Sequence, residues 1–241
     1  LAPQLAAASY ILMDFNSGRI LVEHNADERV EPASITKLMT AYVVFSELDQ
    51  GNITLQETVP VSEKAWRTGG SRMFIEPDMQ VSVQDLLRGM VIQSGNDASV
   101  ALAEHVAGSE SAFADMMNAH ATELGMTGTH YVDPTGLSAE NRSTAADLVK
   151  LVNAAAQHPE IREYSTTEYF RAHFRKPRYS LSFGNTNALV HRKSWGVGLS
   201  KTGYLSEAGR CLVMISEMNG KPVITVLLDS MGTRSPMGDA G

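Results

Sequence analysis

The distribution of apolar and polar positions divides the chain into a β-prone start, a helical middle and a β-prone end. Residues 9–14 and 19–23 flank the turn signal Asn16-Ser17-Gly18, which predicts a β-hairpin. From about residue 59 to residue 143 the apolar positions recur mainly at helical spacing, and a further helix is expected from Thr144. The later β-prone runs are residues 168–174, 179–183, 197–201, 209–217 and 222–229. This order predicts an α+β fold in which strands from both ends of the chain form one antiparallel sheet flanked by helices.

One predicted helix differs from the others because it is apolar on all sides. Residues 38–45 are almost free of charge, and a helix of that kind is buried. Pro32 fits the approach to its N-terminus, so Ser34 lies at its start and Lys37 lies one turn later on the same face. A serine in that place has an amine within reach and unpaired backbone N–H groups beside it, as acyl transfer requires. Alone, the spacing is also typical of an ordinary helix N-cap followed by a surface lysine.

Composition restricts the function classes. The 241 residues are 43% hydrophobic and 20% charged, and the net charge of −7 argues against a general affinity for nucleic acid or for an anionic membrane. A single cysteine, Cys211, excludes an internal disulfide and a cysteine-based zinc site. The seven histidines show no metal-binding spacing, so no metal or other cofactor is expected. No apolar stretch of the sequence is long enough for a transmembrane helix, and no signal peptide is visible in this chain.

Two further motifs give the Ser34 helix a chemical context. Ser94-Gly95-Asn96 interrupts the helical pattern as a loop between two helices, and Lys201-Thr202-Gly203 ends a short strand before an expected turn. Each motif alone is an ordinary loop or strand end. Together with Ser34-x-x-Lys37, in this order and in these contexts, they resemble the motifs of the penicillin-recognising serine peptidases. That family comprises the D,D-peptidases and the serine β-lactamases.

The resemblance extends over nearly the whole chain, but its two halves resemble different branches. The first half, including Asp133-Pro134-Thr135-Gly136-Leu137, looks like the low-molecular-mass D-alanyl-D-alanine carboxypeptidases. The second half, including Phe183-Gly184-Asn185-Thr186-Asn187 and Gly209-Arg210-Cys211, looks like the D-alanyl-D-alanine endopeptidases. A natural intermediate and an engineered hybrid are both compatible with this pattern.

The resemblance also implies a more specific fold. A serine β-lactamase/D,D-peptidase-like protein forms one catalytic domain, here residues 1–241, with an antiparallel sheet and an inserted, mainly helical subdomain. We therefore expect residues 59–143 to form the helical subdomain. Residues 1–58 and 144–241 are expected to form the sheet and the helices that flank it.

The resemblance assigns a role to the residues around the nucleophile. Ser34 attacks the carbonyl of a D-Ala-D-Ala bond, and Lys37 takes the hydroxyl proton in its neutral form. Burial and the nearby charge of Lys201 would lower the pKa of Lys37 into the range of a general base. Ser94 relays a proton to the leaving amine, while Asn96 holds Lys37 and hydrogen-bonds the substrate amide.

The resemblance also assigns the binding of the substrate. Lys201 and Thr202 bind the substrate carboxylate or its neighbour, and Gly203 allows close approach of the substrate backbone. The backbone N–H groups of Ser34 and Tyr204 form the oxyanion hole, and water hydrolyses the acyl-enzyme. The expected partners are stem peptides of peptidoglycan, with β-lactam antibiotics as covalent inhibitors, and the expected location is the periplasm.

Two other functions share these motifs. A serine β-lactamase is one, although many carry Asp where this chain has Gly95, and we find no Glu-x-x-Leu-Asn pattern for a deacylating base. A β-lactam sensor that is acylated without turnover is the other. Within the D,D-peptidases, the carboxypeptidase branch tends to carry an Arg in the place of Thr186, where it helps to hold a terminal carboxylate. Arg210 and Arg234 are the candidates to replace it.

Overall fold

The strands of the two ends of the chain pair with one another. The structure is a computed structural model that describes residues 7–174, 179–191, 196–205 and 209–230. Its strands are β1 (Ala7–Asp14), β2 (Ile20–His24), β3 (Thr58–Val59), β4 (Val81–Ser82), β5 (Tyr169–Phe174), β6 (Tyr179–Gly184), β7 (Val197–Leu205), β8 (Gly209–Met218) and β9 (Lys221–Ser230). Five of them form an antiparallel sheet in the order β2-β1-β9-β8-β7. The predicted α+β fold and the sheet built from both termini are confirmed.

The helices occupy the middle of the chain. They are α1 (Thr36–Asp49), α2 (Glu63–Arg67), α3 (Val83–Gln93), α4 (Asn96–Ala107), α5 (Glu110–Glu123), α6 (Ala145–Ala155) and α7 (Pro159–Thr166). Side chains of Ser62, Ser82, Ser109 and Thr144 cap α2, α3, α5 and α6 by accepting a backbone N–H three residues later. The division into two subdomains stays a prediction.

The sheet has two buried faces of unequal size. On the larger face, side chains such as Ile11, Val213 and Ile224 join the main core, where α6 packs against β1, β8 and β9. The opposite face carries Tyr10, Leu212, Met214 and Leu227, which form a second cluster with Leu189. Alternation of the side chains along each strand sends neighbouring residues to opposite faces.

Helix α1 is the central helix, as its apolar sequence predicts. It packs against α3, α4, α5 and α6, and nine of its residues are buried, Lys37 among them. A 3₁₀ turn, Ala33–Ile35, precedes it and packs against β7 and β8. The start of α1 is thereby held between the helical layer and the edge of the sheet.

Two elements differ from the sequence prediction. Helix α7 is not among the elements that the sequence analysis predicts, and Pro159 occupies its first turn. Strand β7 was expected to end near Lys201, but it continues to Leu205 because Lys201, Thr202 and Gly203 stay paired with β8. The third motif therefore lies within a strand, and the turn expected after it begins later.

Candidate active site

The turn that carries Ser34 has an unusual backbone. Ala33 has a φ of +51°, a left-handed conformation that is costly for a residue other than glycine. Gly136, with a φ of +89°, lies against this turn so closely that a Cβ there would be 1.9 Å from the carbonyl oxygen of Ala33. The loop of Gly136 thus fixes the position of the Ser34 turn, which is the kind of local strain that often accompanies function.

Lys37 lies one turn after Ser34 and points at it. Its Nζ donates to Ser34 Oγ at 3.0 Å and to the backbone carbonyl of Thr135 at 2.8 Å. The side chain is fully buried. Burial holds the pKa of Lys37 well below its usual value, and the positive charge of Lys201 lowers this pKa further. A neutral amine that accepts a proton from Ser34 is therefore favoured.

The second and third motifs meet at a pair of side chains. Lys201 Nζ, from β7, donates to Ser94 Oγ at 3.1 Å, although the two residues are 107 positions apart in the sequence. Ser94 ends α3 in a left-handed conformation with a φ of +61°. Burial lowers the pKa of Lys201 from 10.5 to about 7. Both lysines are thus buried in one site, where burial disfavours their charged forms.

Asn96 does not contact Lys37 in the way the sequence analysis expected. Its Nδ2 donates to the carbonyl of Gly69 at 2.8 Å, and its Oδ1 is buried without a hydrogen-bond partner in the part of the chain that the structure describes. The carbonyl of Thr135 takes the place expected for Asn96 beside Lys37. The unpaired oxygen is available to accept a hydrogen bond from a ligand.

A buried carboxylate supports the loop beside Asn96. Asp97 is 1% exposed and accepts from the backbone N–H groups of Met73 and Ile75, at 2.9 and 3.1 Å. Burial raises the pKa of this carboxyl group, and the backbone hydrogen bonds oppose that shift. Because Asp97 follows Asn96 directly, the loop and the Asn96 side chain are fixed by the same end of α4.

The remaining predicted residues lie along β7. The backbones of Thr202, Gly203 and Tyr204 pair with Leu212, Cys211 and Arg210 of β8, and β7 packs against the 3₁₀ turn of Ser34. The side chains of Thr202, Tyr204 and Arg210 are outside the described part of the structure, and so is the whole of Arg234. The described residues include no group of three or more His, Cys, Asp or Glu side chains that could hold a metal ion.

Thr135 is the residue of this site that the sequence analysis missed as a participant. Its loop is ordered by Asp133, which accepts from the backbone N–H groups of Thr135 and Gly136 and from the side chain of Asn141. The signal was the Asp-Pro-Thr-Gly turn itself, but a carbonyl that binds a lysine has no side-chain signature. The structure brings Ser34, Lys37, Ser94 and Lys201 together as two hydrogen-bonded pairs of a hydroxyl and an amine.

Comparison with known proteins agrees with this geometry. The family described as D-alanyl-D-alanine carboxypeptidase matches residues 1–232. A D-alanyl-D-alanine endopeptidase of Pseudomonas aeruginosa is 41% identical over 241 residues, which is 100% of this chain and 76% of that protein. A D-alanyl-D-alanine carboxypeptidase of Escherichia coli K12 is 39% identical over 239 residues, covering 97% of this chain and 59% of that protein.

A solved structure has the same architecture. The crystal structure of the Streptomyces K15 DD-transpeptidase superimposes with a TM-score of 0.92 at 30% identity. The match covers 100% of this chain and 96% of that chain. None of the helices that the structure describes has the length and apolar character of a membrane-spanning helix.

Proposed function

The chain belongs to the D-alanyl-D-alanine carboxypeptidase family of serine peptidases, and from this premise we propose how its site cleaves D-Ala-containing peptides of peptidoglycan. The observation that carries the proposal is the contact of Lys37 Nζ with Ser34 Oγ at 3.0 Å in a fully buried setting. Ser34 Oγ attacks the carbonyl carbon, and its proton passes to the neutral Lys37. The backbone N–H groups of Ser34 and Tyr204 stabilise the oxyanion that forms.

Collapse of the tetrahedral intermediate releases the amine. The scissile C–N bond breaks, the leaving nitrogen receives a proton through Ser94, and the acyl group stays on Ser34. Lys201 and Thr202 hold the substrate carboxylate, Gly203 admits the substrate backbone, and Asn96 accepts a hydrogen bond from the substrate amide. Water then attacks the ester carbonyl carbon, the bond from that carbon to Ser34 Oγ breaks, the acyl group leaves as a carboxylic acid, and the proton lost by the water restores the Ser34 hydroxyl.

Cleavage of cross-links is the preference that we propose between the two branches. Thr186 supplies no positive charge in the place where the carboxypeptidase branch tends to carry an arginine, and its backbone N–H donates to the carbonyl of Ile92. The P. aeruginosa relative named as an endopeptidase supports this preference, since it is 41% identical over the whole of this chain. We further propose that the enzyme acts in the periplasm, where its substrate lies, and is inhibited by β-lactams.

The intact mass of the protein after exposure to benzylpenicillin tests the nucleophile. We expect a slowly lost covalent adduct on the parent protein and none on Ser34→Ala, because the acyl group is attached to Ser34 Oγ. The same two proteins are then given a cross-linked muropeptide dimer and a pentapeptide, with faster product release from the dimer expected for the parent alone.

Each alternative gives a different result in this experiment. Rapid loss of the adduct with penicillin hydrolysis would identify a β-lactamase. A lasting adduct without cleavage of either peptide would identify a sensor. Faster release of D-Ala from the pentapeptide than cleavage of the dimer would contradict the endopeptidase preference.

A further inference from the structure

The loop of residues 69–75 is joined to the active site through Asn96. Asn96 donates from its Nδ2 to the carbonyl of Gly69 and from its backbone N–H to the carbonyl of Ser71, both at 2.8 Å. Ser71 Oγ donates in turn to the carbonyl of Gln93 at 2.7 Å, at the end of α3. Any substrate that hydrogen-bonds Asn96 therefore lies beside this loop.

The loop carries an arginine that no acidic side chain of the described residues neutralises. No ion pair of Arg72 is found within residues 7–174, 179–191, 196–205 and 209–230, although the chain has 27 acidic residues and 20 basic ones. Its Nε is buried and has no hydrogen-bond partner among the described residues. A buried donor without a partner costs free energy, so an unexplained one calls for a ligand or another compensating group.

A neighbouring aromatic ring holds this guanidinium in place. The Cζ atom of Arg72 lies 5.0 Å from the centre of the Phe74 ring. Phe74 has a φ of +61° and is 59% exposed, so the loop holds an apolar side chain at the surface in a costly backbone conformation. Stacking restricts the arginine before any ligand binds, which lowers the entropy lost on binding.

We propose that Arg72 is a binding residue for a carboxylate of the stem peptide. The inference rests on the proposed function and adds a substrate feature to it: an acidic residue upstream of the D-Ala pair. A guanidinium binds a carboxylate through two parallel hydrogen bonds, and a planar fork of donors is matched to that group. Arg72 adds a positive charge to the loop beside Asn96 in a protein whose net charge is −7.

Two carboxylates of a stem peptide have this chemistry. One is the free α-carboxylate of the acidic second residue, and the other is the side-chain carboxylate of a diamino acid in third position. Three pentapeptides distinguish them: one with both carboxylates free, one amidated at the second residue and one amidated at the third. Amidation keeps the shape and removes the charge, so each peptide reports on one carboxylate.

The experiment measures kcat/KM for the three peptides with the parent protein and Arg72→Gln. We expect kcat/KM of the parent protein to be roughly tenfold higher for the peptide with both carboxylates free than for one of the two amidated peptides. This is the difference expected for one charged hydrogen bond. In Arg72→Gln this ratio should fall to about one, and Arg72→Lys should keep part of it because the charge remains without the fork. The ratio is taken within each protein, so a general loss of stability cancels.

Arg67→Gln is the matched control, since it removes the same charge from an exposed arginine that pairs with Glu63. It should keep the ratio of the parent protein. A parent without preference among the peptides, or an Arg72→Gln variant with the parent's ratio, would overturn the proposal. Peptide dissociation constants measured in the Ser34→Ala background give the same ratio without catalysis, so a failure of the proposed function does not hide the result.

Discussion

At the scale of single residues, the site contains two lysines whose burial opposes their charge. The pKa of Lys201 falls to about 7 and that of Lys37 falls well below its usual value, in both cases mainly through desolvation. In the unfolded chain both amines would be charged and hydrated at neutral pH. The two lysines to which we assign substrate binding and activation therefore reduce the stability of the folded protein, a trade-off that is common at active sites.

Comparison with a variant that lacks Lys201 should show this loss of stability as a pH-dependent difference in the free energy of unfolding. Between pH 7 and pH 10.5 the unfolded state binds more protons at Lys201 than the folded state, so this residue's unfavourable contribution weakens as the pH rises. The cost is fully present below pH 7. We expect the free energy of unfolding of the parent protein, relative to Lys201→Met, to increase by about 2 kcal/mol from pH 7 to pH 9. Urea titrations at both pH values measure it.

A control and a contrary result are available for this prediction. Lys150 is exposed, and Lys150→Met is the control that removes one positive charge from the surface. A constant offset between Lys201→Met and the parent protein over this pH range would mean that Lys201 is not desolvated in the folded protein.

Residues that act through side chains were predictable from the sequence, and residues that act through the backbone were not. Ser34, Lys37, Ser94 and Lys201 belong to short motifs, and the structure brings them together as two hydrogen-bonded pairs. The carbonyl of Thr135 beside Lys37 was missed, because every residue type has a carbonyl and only the fold decides where it points.

At the scale of elements, the loop around Gly136 determines the position of the Ser34 turn. Gly136→Ala would place a methyl group 1.9 Å from the carbonyl oxygen of Ala33, and backbone atoms can move apart only if the turn shifts. We expect a loss of about 3 kcal/mol in the free energy of unfolding from the left-handed backbone and the collision together. The rate of acylation by benzylpenicillin should fall at least tenfold, since Ser34 moves relative to Lys37.

Gly18→Ala is the control for the backbone conformation alone. Gly18 has a φ of +72°, and a Cβ added to it would have no atom within 4 Å. Gly18→Ala should therefore lower the free energy of unfolding by about 1 kcal/mol and leave the rate of acylation unchanged. Equal effects of the two substitutions would show that the contact with Ala33 does not position the nucleophile.

The elements that the sequence analysis missed depend on tertiary contacts. Helix α7 is mostly polar, but its Ile161 and Tyr164 are buried and it packs against α3 and β7. Strand β7 extends through a glycine because β8 offers a continuous partner. In both segments the intrinsic preference of the residues for helix or strand is weak, and packing against a neighbouring element determines the structure.

At the scale of the whole molecule, the active site joins parts of the chain that are distant in sequence. Strand β1 lies between β2 and β9, so the first and last described strands are neighbours in the sheet. The contacts of Lys37 with Thr135 and of Lys201 with Ser94 join residues 59–143, the predicted helical part, to the predicted sheet-containing part on either side of it in the sequence. Helix α1 is buried among helices of both parts. A site of this kind exists only when both parts are folded.

We therefore expect the helical part and the sheet to unfold together. Trp66 in α2 reports on the helical part by its fluorescence, in a Trp195→Phe variant that leaves it as the single tryptophan. Cys211, the single cysteine, is 1% exposed in β8 and reports on the sheet by pulsed thiol labelling. Because the helices and the sheet share an extensive core, the urea midpoint measured at Trp66 should coincide with the one measured at Cys211. If Trp66 changes at lower urea while Cys211 stays protected, residues 59–143 unfold independently, and their contacts with α1 would not couple them to the sheet.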